Sequence, residues 1–340
     1  MDESGRANMK EVAVEERPEL SIVIPLYRSA GSIERVVDEL ETVPVDGGME
    51  VVLVNDGSPD DTLGACRRIL AGCALPVKVV NLSRNFGEHN AVLAGLRHAR
   101  GRWIVTMDDD GQNPPAEIPR LLQEARTRGH DVVFGRYRGK QHALWRNLGS
   151  WFANRVAEAV IEKPRGLYLS SFRCMSEFVA EQVTRYDGPY PYIDGLILQT
   201  TRNLGMVDVE HRARDEGSSG YTLRKLARLW MNMFVNFSVR PLRLAMWLGL
   251  VMGAAGLLGV CWVVKLWLNS EGPPLGWGSL MAALLIFSGV QMMMLGLIGE
   301  YLGRTYLSAN RRPQSIVREV WRSDHERRAD GAANSSPVSN

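Results

Sequence analysis

The sequence predicts an α/β domain built on a mostly parallel sheet, followed by an amphipathic interfacial helix and two C-terminal transmembrane helices. Three observations carry that prediction. Short β-branched runs alternate with helical segments from Leu20 to Phe134, the strand-like runs close on polar or acidic turns, and two charge-free apolar runs follow at Leu244–Val264 and Ser279–Gly299. Strands alternating with helices imply parallel pairing with both faces of the sheet covered.

The elements follow in order. Strands are expected at Ser21–Ile24, Val51–Val54, Val77–Leu82, Trp103–Met107 and Asp131–Phe134, with helices at Ile33–Leu40, Thr62–Leu70, His89–Ala99 and Glu117–Arg128. No G-x-G-x-x-G follows any of these strands, so the dinucleotide fingerprint is absent and acidic turns stand in its place. Each apolar run, at about 1.5 Å rise per residue, reaches about 30 Å, the thickness of a bilayer's hydrocarbon core. The connecting loop Asn269–Gly278 carries Glu271 as its only charge, whereas Arg240 and Arg243 precede the pair and Arg304, Arg311 and Arg312 follow it. That asymmetry puts both ends of the hairpin in the cytoplasm. Before it, Leu223, Leu226, Trp230, Phe234 and Phe237 recur at helical spacing within Tyr221–Val239, with Lys225 and Arg228 on another face. A basic, Trp-bearing amphipathic helix beside a membrane span is expected at the lipid interface.

Composition narrows the classes further. A formal charge of +2 over 340 residues argues against a nucleic-acid binder, although Arg clusters locally at 136–155 and 212–243. The four cysteines form no CxxC pair, as expected of free thiols in a reducing compartment. Residues 1–18 are charged and lack an apolar core, so no cleavable signal is read there.

The chemistry concentrates at strand ends. Asp108-Asp109-Asp110 closes the run ending at Met107, and alternation along a strand would turn Asp108 and Asp110 to one side and Asp109 away. Two carboxylates on one side suit Mg2+ or Mn2+, which take hard oxygen ligands and complete their shell with water and substrate phosphates. Asp56, in Asn55-Asp56-Gly57-Ser58, is either a carboxylate accepting bonds from a base or ribose or part of an ordinary capped turn. In Ser83-Arg84-Asn85-Phe86-Gly87 the Arg can reach a phosphate, and the Gly permits close backbone approach.

Through Ser21–Tyr27, Val54–Thr62, Arg84–Gly95 and Met107–Pro115 the chain resembles glycosyltransferase family 2 enzymes of the GT-A fold. It looks most like the membrane-bound polyprenyl-phosphate glycosyltransferases, and the resemblance runs to Gly299–Arg304 and Arg312-Pro313. It implies that Pro25, Tyr27, Asp56, Arg84, Gly87, Asp108, Asp109 and Gln112 surround a nucleotide diphosphate sugar, with Asp108, Asp110 and Gln112 at the metal. It also implies that Arg136, Arg138, Arg146, Arg214 and Ser219 lie near the phosphate of a polyprenyl acceptor, with Asp108, Asp110, Arg136 and Arg146 as the catalytic set. Many relatives carry an acid where this chain has Ser171, so a base cannot be assigned by analogy.

The implied organisation is a flexible N-terminus at 1–18, a catalytic domain at 19–220, the interfacial helix at 221–243 and the hairpin at 244–302. A cytoplasmic segment at 303–323 and a disordered tail at 324–340 complete it. The implied enzyme is a multi-pass protein of the inner membrane, with its catalytic domain and both termini cytoplasmic. Its donor is expected to be a UDP-sugar, with GDP open. Tyr301–Arg312 resembles a segment used in subunit contacts, which leaves a homo-oligomer open. A family 2 enzyme with a hydroxyl acceptor and an inactive nucleotide-sugar scaffold are the alternatives.

Overall fold

The computed structural model describes residues 17–137, 164, 166–210, 212, parts of 247–269, 276–310 and 313–323. Its centre is an eight-stranded sheet in the order β7-β5-β6-β4-β1-β2-β3-β8. The strands are β1 (Leu20–Leu26), β2 (Met49–Asn55), β3 (Val77–Leu82), β4 (Trp103–Thr106), β5 (Val132–Tyr137), β6 (Arg173–Ser176), β7 (Leu204–Val209) and β8 (Val317–Arg322). The helices are α1 (Ile33–Glu41), α2 (Thr62–Gly72), α3 (Glu88–Leu96), α4 (Ile118–Arg128), α5 (Glu177–Thr184), α6 (Ile193–Thr200) and α7 (Trp277–Ala309).

The expected parallel core is present, since β1 pairs in parallel with β2 and β4, and β2 with β3. These strands are buried on both faces, which explains their nearly continuous apolar sequence. On one face Leu20, Ile22, Ile24 and Leu26 pack with Ile33, Leu40, Ile69 and Leu121 of α1, α2 and α4. On the other, Val23 and Val54 meet Ala91 and Ala94 of α3 and Val179 and Ile197 of α5 and α6. Gly95 makes that second layer close, because a Cβ there would lie 2.4 Å from Val23 Cγ1 and 2.9 Å from Val54 Cγ2.

Three strands were not anticipated. β6 inserts between β4 and β5, antiparallel to both, and β7 continues the sheet beyond β5 in parallel with it. β8 lies far along the chain, runs antiparallel to β3, and is fastened past its end by Ser323 N donating to Val77 O at 2.9 Å. The sheet therefore includes residues beyond the hairpin, outside the range 19–220 expected for the domain.

Two further differences concern position. β4 ends at Thr106, so the acidic triplet lies in the turn beyond it and strand alternation does not set the directions of its side chains. The second apolar run lies within α7, which extends from Trp277 to Ala309. Among the described residues one stretch, Ile286–Leu307, is long and apolar enough to cross a membrane. The expected interfacial helix at Tyr221–Val239 lies outside the described residues, and Leu244–Val264 lies partly outside them.

Candidate active site

Because β4, β1, β2 and β3 are parallel neighbours, their following turns emerge side by side at one sheet edge, where open α/β sheets hold ligands. The turn after β1 presents Tyr27, 47% exposed, with the Arg28 guanidinium 5.6 Å from its ring centroid. Its backbone is tied to the next turn by Arg28 N donating to Ser58 Oγ at 3.3 Å and Ser29 N donating to Thr62 Oγ1 at 3.0 Å. Pro25 sits in β1 opposite Val54.

Asp56 follows β2 and is only 2% exposed. Its two oxygens accept from Phe86 N at 2.7 Å and Gly87 N at 2.9 Å. Burial raises its pKa and the two amide bonds oppose that rise. Next to it Gly57 takes φ +61°, and a Cβ would lie 2.4 Å from the Arg84 carbonyl carbon, so the turns after β2 and β3 touch. Arg84 itself is exposed, its guanidinium 4.4 Å from the Phe86 ring centroid.

Each carboxylate of the triplet is held differently. Asp108 Oδ2 accepts from Ser171 Oγ at 2.6 Å, Asp109 accepts from the buried Ser29 Oγ, and Asp110 Oδ1 accepts from Gln112 N at 3.1 Å. Thus β1, β4 and the segment before β6 each contribute to fixing the turn. Burial and Asp110 push the Asp108 carboxyl upward against the opposing bond from Ser171. Burial pushes Asp109 up to about 6. Partial desolvation beside the acidic turn, with Asp108 adding to it, raises Glu88 at the start of α3, although its side chain still reaches solvent. Acids that raise one another in a half-enclosed crevice form a site that gains by binding a cation. The donors are hard carboxylate oxygens, which fits Mg2+ or Mn2+. Among the described residues no group of three or more His, Cys, Asp or Glu side chains forms a ligand set.

Behind the triplet, Arg173 Nε donates to Thr106 Oγ1 at 3.1 Å, and its guanidinium pairs with Asp194. Tyr137 Oη donates to Asn113 Oδ1 at 2.5 Å. His89 lies edge-on to Tyr192, with ring centroids 5.1 Å apart.

Of the residues assigned to acceptor phosphate, Arg136 on β5 pairs with Asp208 on β7 at 2.5 Å. Arg138, Arg146, Arg214 and Ser219 lie outside the described residues. Sequence reasoning missed Glu88, Arg173 and Asp194. An acid directly after Gly87, where a helix opens, was the available signal for Glu88; the pairing of Arg173 with Asp194 had none.

Residues 21–177 match the family described as Glycosyl transferase family 2, and residues 240–305 match the GtrB C-terminal hairpin. The undecaprenyl-phosphate 4-deoxy-4-formamido-L-arabinose transferase of Pseudomonas savastanoi pv. phaseolicola is 32% identical over 315 residues, covering 90% of this chain and 92% of that protein. The protein of the same name from Klebsiella pneumoniae is 31% identical, covering 89% and 94%. Among solved structures, glucosyl-3-phosphoglycerate synthase from Mycobacterium tuberculosis, in complex with Mn2+, uridine diphosphate and phosphoglyceric acid, is similar at a TM-score of 0.48 and 21% identity. That likeness covers 64% of this chain and 76% of the other.

Proposed function

The chain belongs to glycosyl transferase family 2, and we propose that it moves a sugar from a nucleotide diphosphate sugar, read here as a UDP-sugar, to undecaprenyl phosphate at the cytoplasmic face of the inner membrane. The observation that carries this reading is the crevice in which the turns after β1, β2, β3 and β4 meet around Asp108, Asp109 and Asp110. The acceptor is inferred from relatives whose names state it and which match about nine tenths of this chain.

In this reading an oxygen of the lipid phosphate forms a bond to the anomeric carbon as that carbon's bond to the nucleotide diphosphate breaks, with inversion. A phosphate monoester has a second pKa of about 6, so near neutral pH the nucleophile is already an anion and needs no protein base. That chemistry agrees with Ser171, whose hydroxyl is engaged in donating to Asp108. Pro25, Tyr27, Asp56, Arg84 and Gly87 hold the nucleotide, Asp56 by fixing the backbone at Phe86 and Gly87. A divalent ion held by Asp108 and Asp110 beside Gln112 would neutralise charge on the departing diphosphate. Arg136, Arg138, Arg146, Arg214 and Ser219 orient the acceptor phosphate against the donor's charge, with Arg136 exchanging Asp208 for phosphate.

The test is a donor screen with the full chain in detergent, scored by nucleotide diphosphate released with and without undecaprenyl phosphate. Release that depends on lipid phosphate and falls by about 100-fold or more in Asp110→Ala is expected. Release that depends on a sugar alcohol, or none with any acceptor, would overturn the reading.

A further inference from the structure

The chain returning from the hairpin meets the loop between α5 and α6 before it joins the sheet. Gln314, three residues ahead of β8, donates through Nε2 to Tyr186 O at 2.9 Å and to Gly188 O at 2.8 Å. Its Oε1 accepts from Arg97 Nη2 at 2.9 Å, at the C-terminal end of α3. The same Arg97 nitrogen reaches Thr184 O at 3.3 Å and Tyr186 O at 3.4 Å, and Asp187 lies 3.9 Å away. One amide side chain thus joins three parts of the molecule: the post-hairpin chain, α3, and the loop between α5 and α6.

That loop needs fastening. Tyr190 holds φ 53°, a left-handed conformation unfavourable for a bulky side chain, and the loop's own closure includes a bond from Tyr186 Oη to Pro189 O at 2.9 Å. Its far end enters the crevice, where Tyr192 meets His89 and Asp194 pairs with Arg173. Arg173 in turn donates to Thr106, two residues before Asp108. The geometry points to Gln314 as a positioning residue for the transfer reaction: it clamps the 184–192 loop so that Asp194 and Arg173 support the acidic turn from behind. Gln314 touches neither substrate nor the triplet, and its effect passes through the loop. The inference rests on the function proposed above for its rate arm, while its structural arm stands apart from any substrate.

The experiment uses the full chain in detergent and two variants. Gln314→Ala removes all three side-chain bonds. Gln314→Glu keeps the acceptor for Arg97 but replaces both N–H donors by oxygen against two carbonyls. Both are expected to lower kcat for sugar transfer by about fivefold or more while KM for the nucleotide sugar stays within about twofold, because the base and ribose turns are untouched. In the absence of substrate, amide hydrogen exchange across 184–192 should accelerate by about tenfold or more, with β1 to β4 unchanged. Unchanged loop exchange in both variants overturns the clamp. A loss expressed wholly in donor KM, or full activity in Gln314→Glu, overturns the positioning role. If the wild-type chain moves no sugar to lipid phosphate, the functional reading falls, and loop exchange still decides the clamp.

Discussion

Ser171 and Asp56 show how much a single side chain decides in this crevice. Asp56 spends both oxygens on the amides of Phe86 and Gly87, so Asp56→Asn leaves one amide without an acceptor and turns a charged acceptor into a neutral one. Hydrogen bonds to a charged group are worth about 1.5–3 kcal/mol, so KM for the nucleotide sugar should rise by about 10-fold or more in steady-state assays. At Ser171 the sequence marks the absence of an acid, whereas the structure finds a hydroxyl donating to Asp108. Ser171→Ala should therefore lower kcat by about 3- to 10-fold while the pH profile keeps its shape, because an orienting bond is lost and no titrating base is removed. An altered acid limb in that profile would show Ser171 in the proton path. The position of Asp56 and of Asp108 to Asp110 just beyond strands of the parallel core was legible, because an apolar run ends directly ahead of each. Their partners were not, since Ser29 and Ser171 come from turns whose approach depends on tertiary packing.

At the scale of elements, α3 runs from the turn after β3 to the Arg97–Gln314 contact, and it carries a titrating group. Burial lowers the His89 pKa to about 4, against about 6.5 for the unfolded chain. The unfolded state therefore binds the extra proton between those values. The contribution of His89 is full above about pH 6.5 and is lost as pH falls toward 4, with a slope of at most about 1.4 kcal/mol per pH unit. Thermal unfolding of the full chain in detergent at pH 7 and pH 4.5 should show a smaller drop in His89→Phe than in wild type, since Phe keeps the edge-on contact with Tyr192 and cannot titrate. An equal drop would place the acid sensitivity elsewhere. The elements legible in sequence were those of the parallel core, where burial on both faces demands long β-branched runs. β6 has four residues and includes Arg173, while β7 and β8 are edge strands of the sheet. Such strands carry little periodic signal, and pairing partners distant in sequence give none.

For the molecule as a whole, β8 constrains topology more tightly than the count of apolar runs does. The domain precedes the hairpin in sequence, yet β8 follows the hairpin and pairs with β3 of that same domain from Lys78 to Leu82. A chain that crosses a bilayer between two strands of one sheet must cross an even number of times. α7 spans 33 residues, about 50 Å at 1.5 Å per residue, and so exceeds the roughly 30 Å hydrocarbon core and must emerge from it. If Ile286–Leu307 crosses, a second crossing must therefore precede it within the stretch matched by the hairpin family, residues 240–305. The loop between the two runs then lies outside and both flanks lie inside, as the arginine distribution also predicts. A cysteine placed at Ser270 in a background lacking the four native thiols should react with a membrane-impermeant maleimide added to spheroplasts. One placed at Ser315, beside the Gln314 clamp, should react only after lysis. Labelling of both positions from the same side would mean that α7 does not cross as half of a hairpin, and the catalytic domain would then meet its lipid acceptor from a surface-bound position.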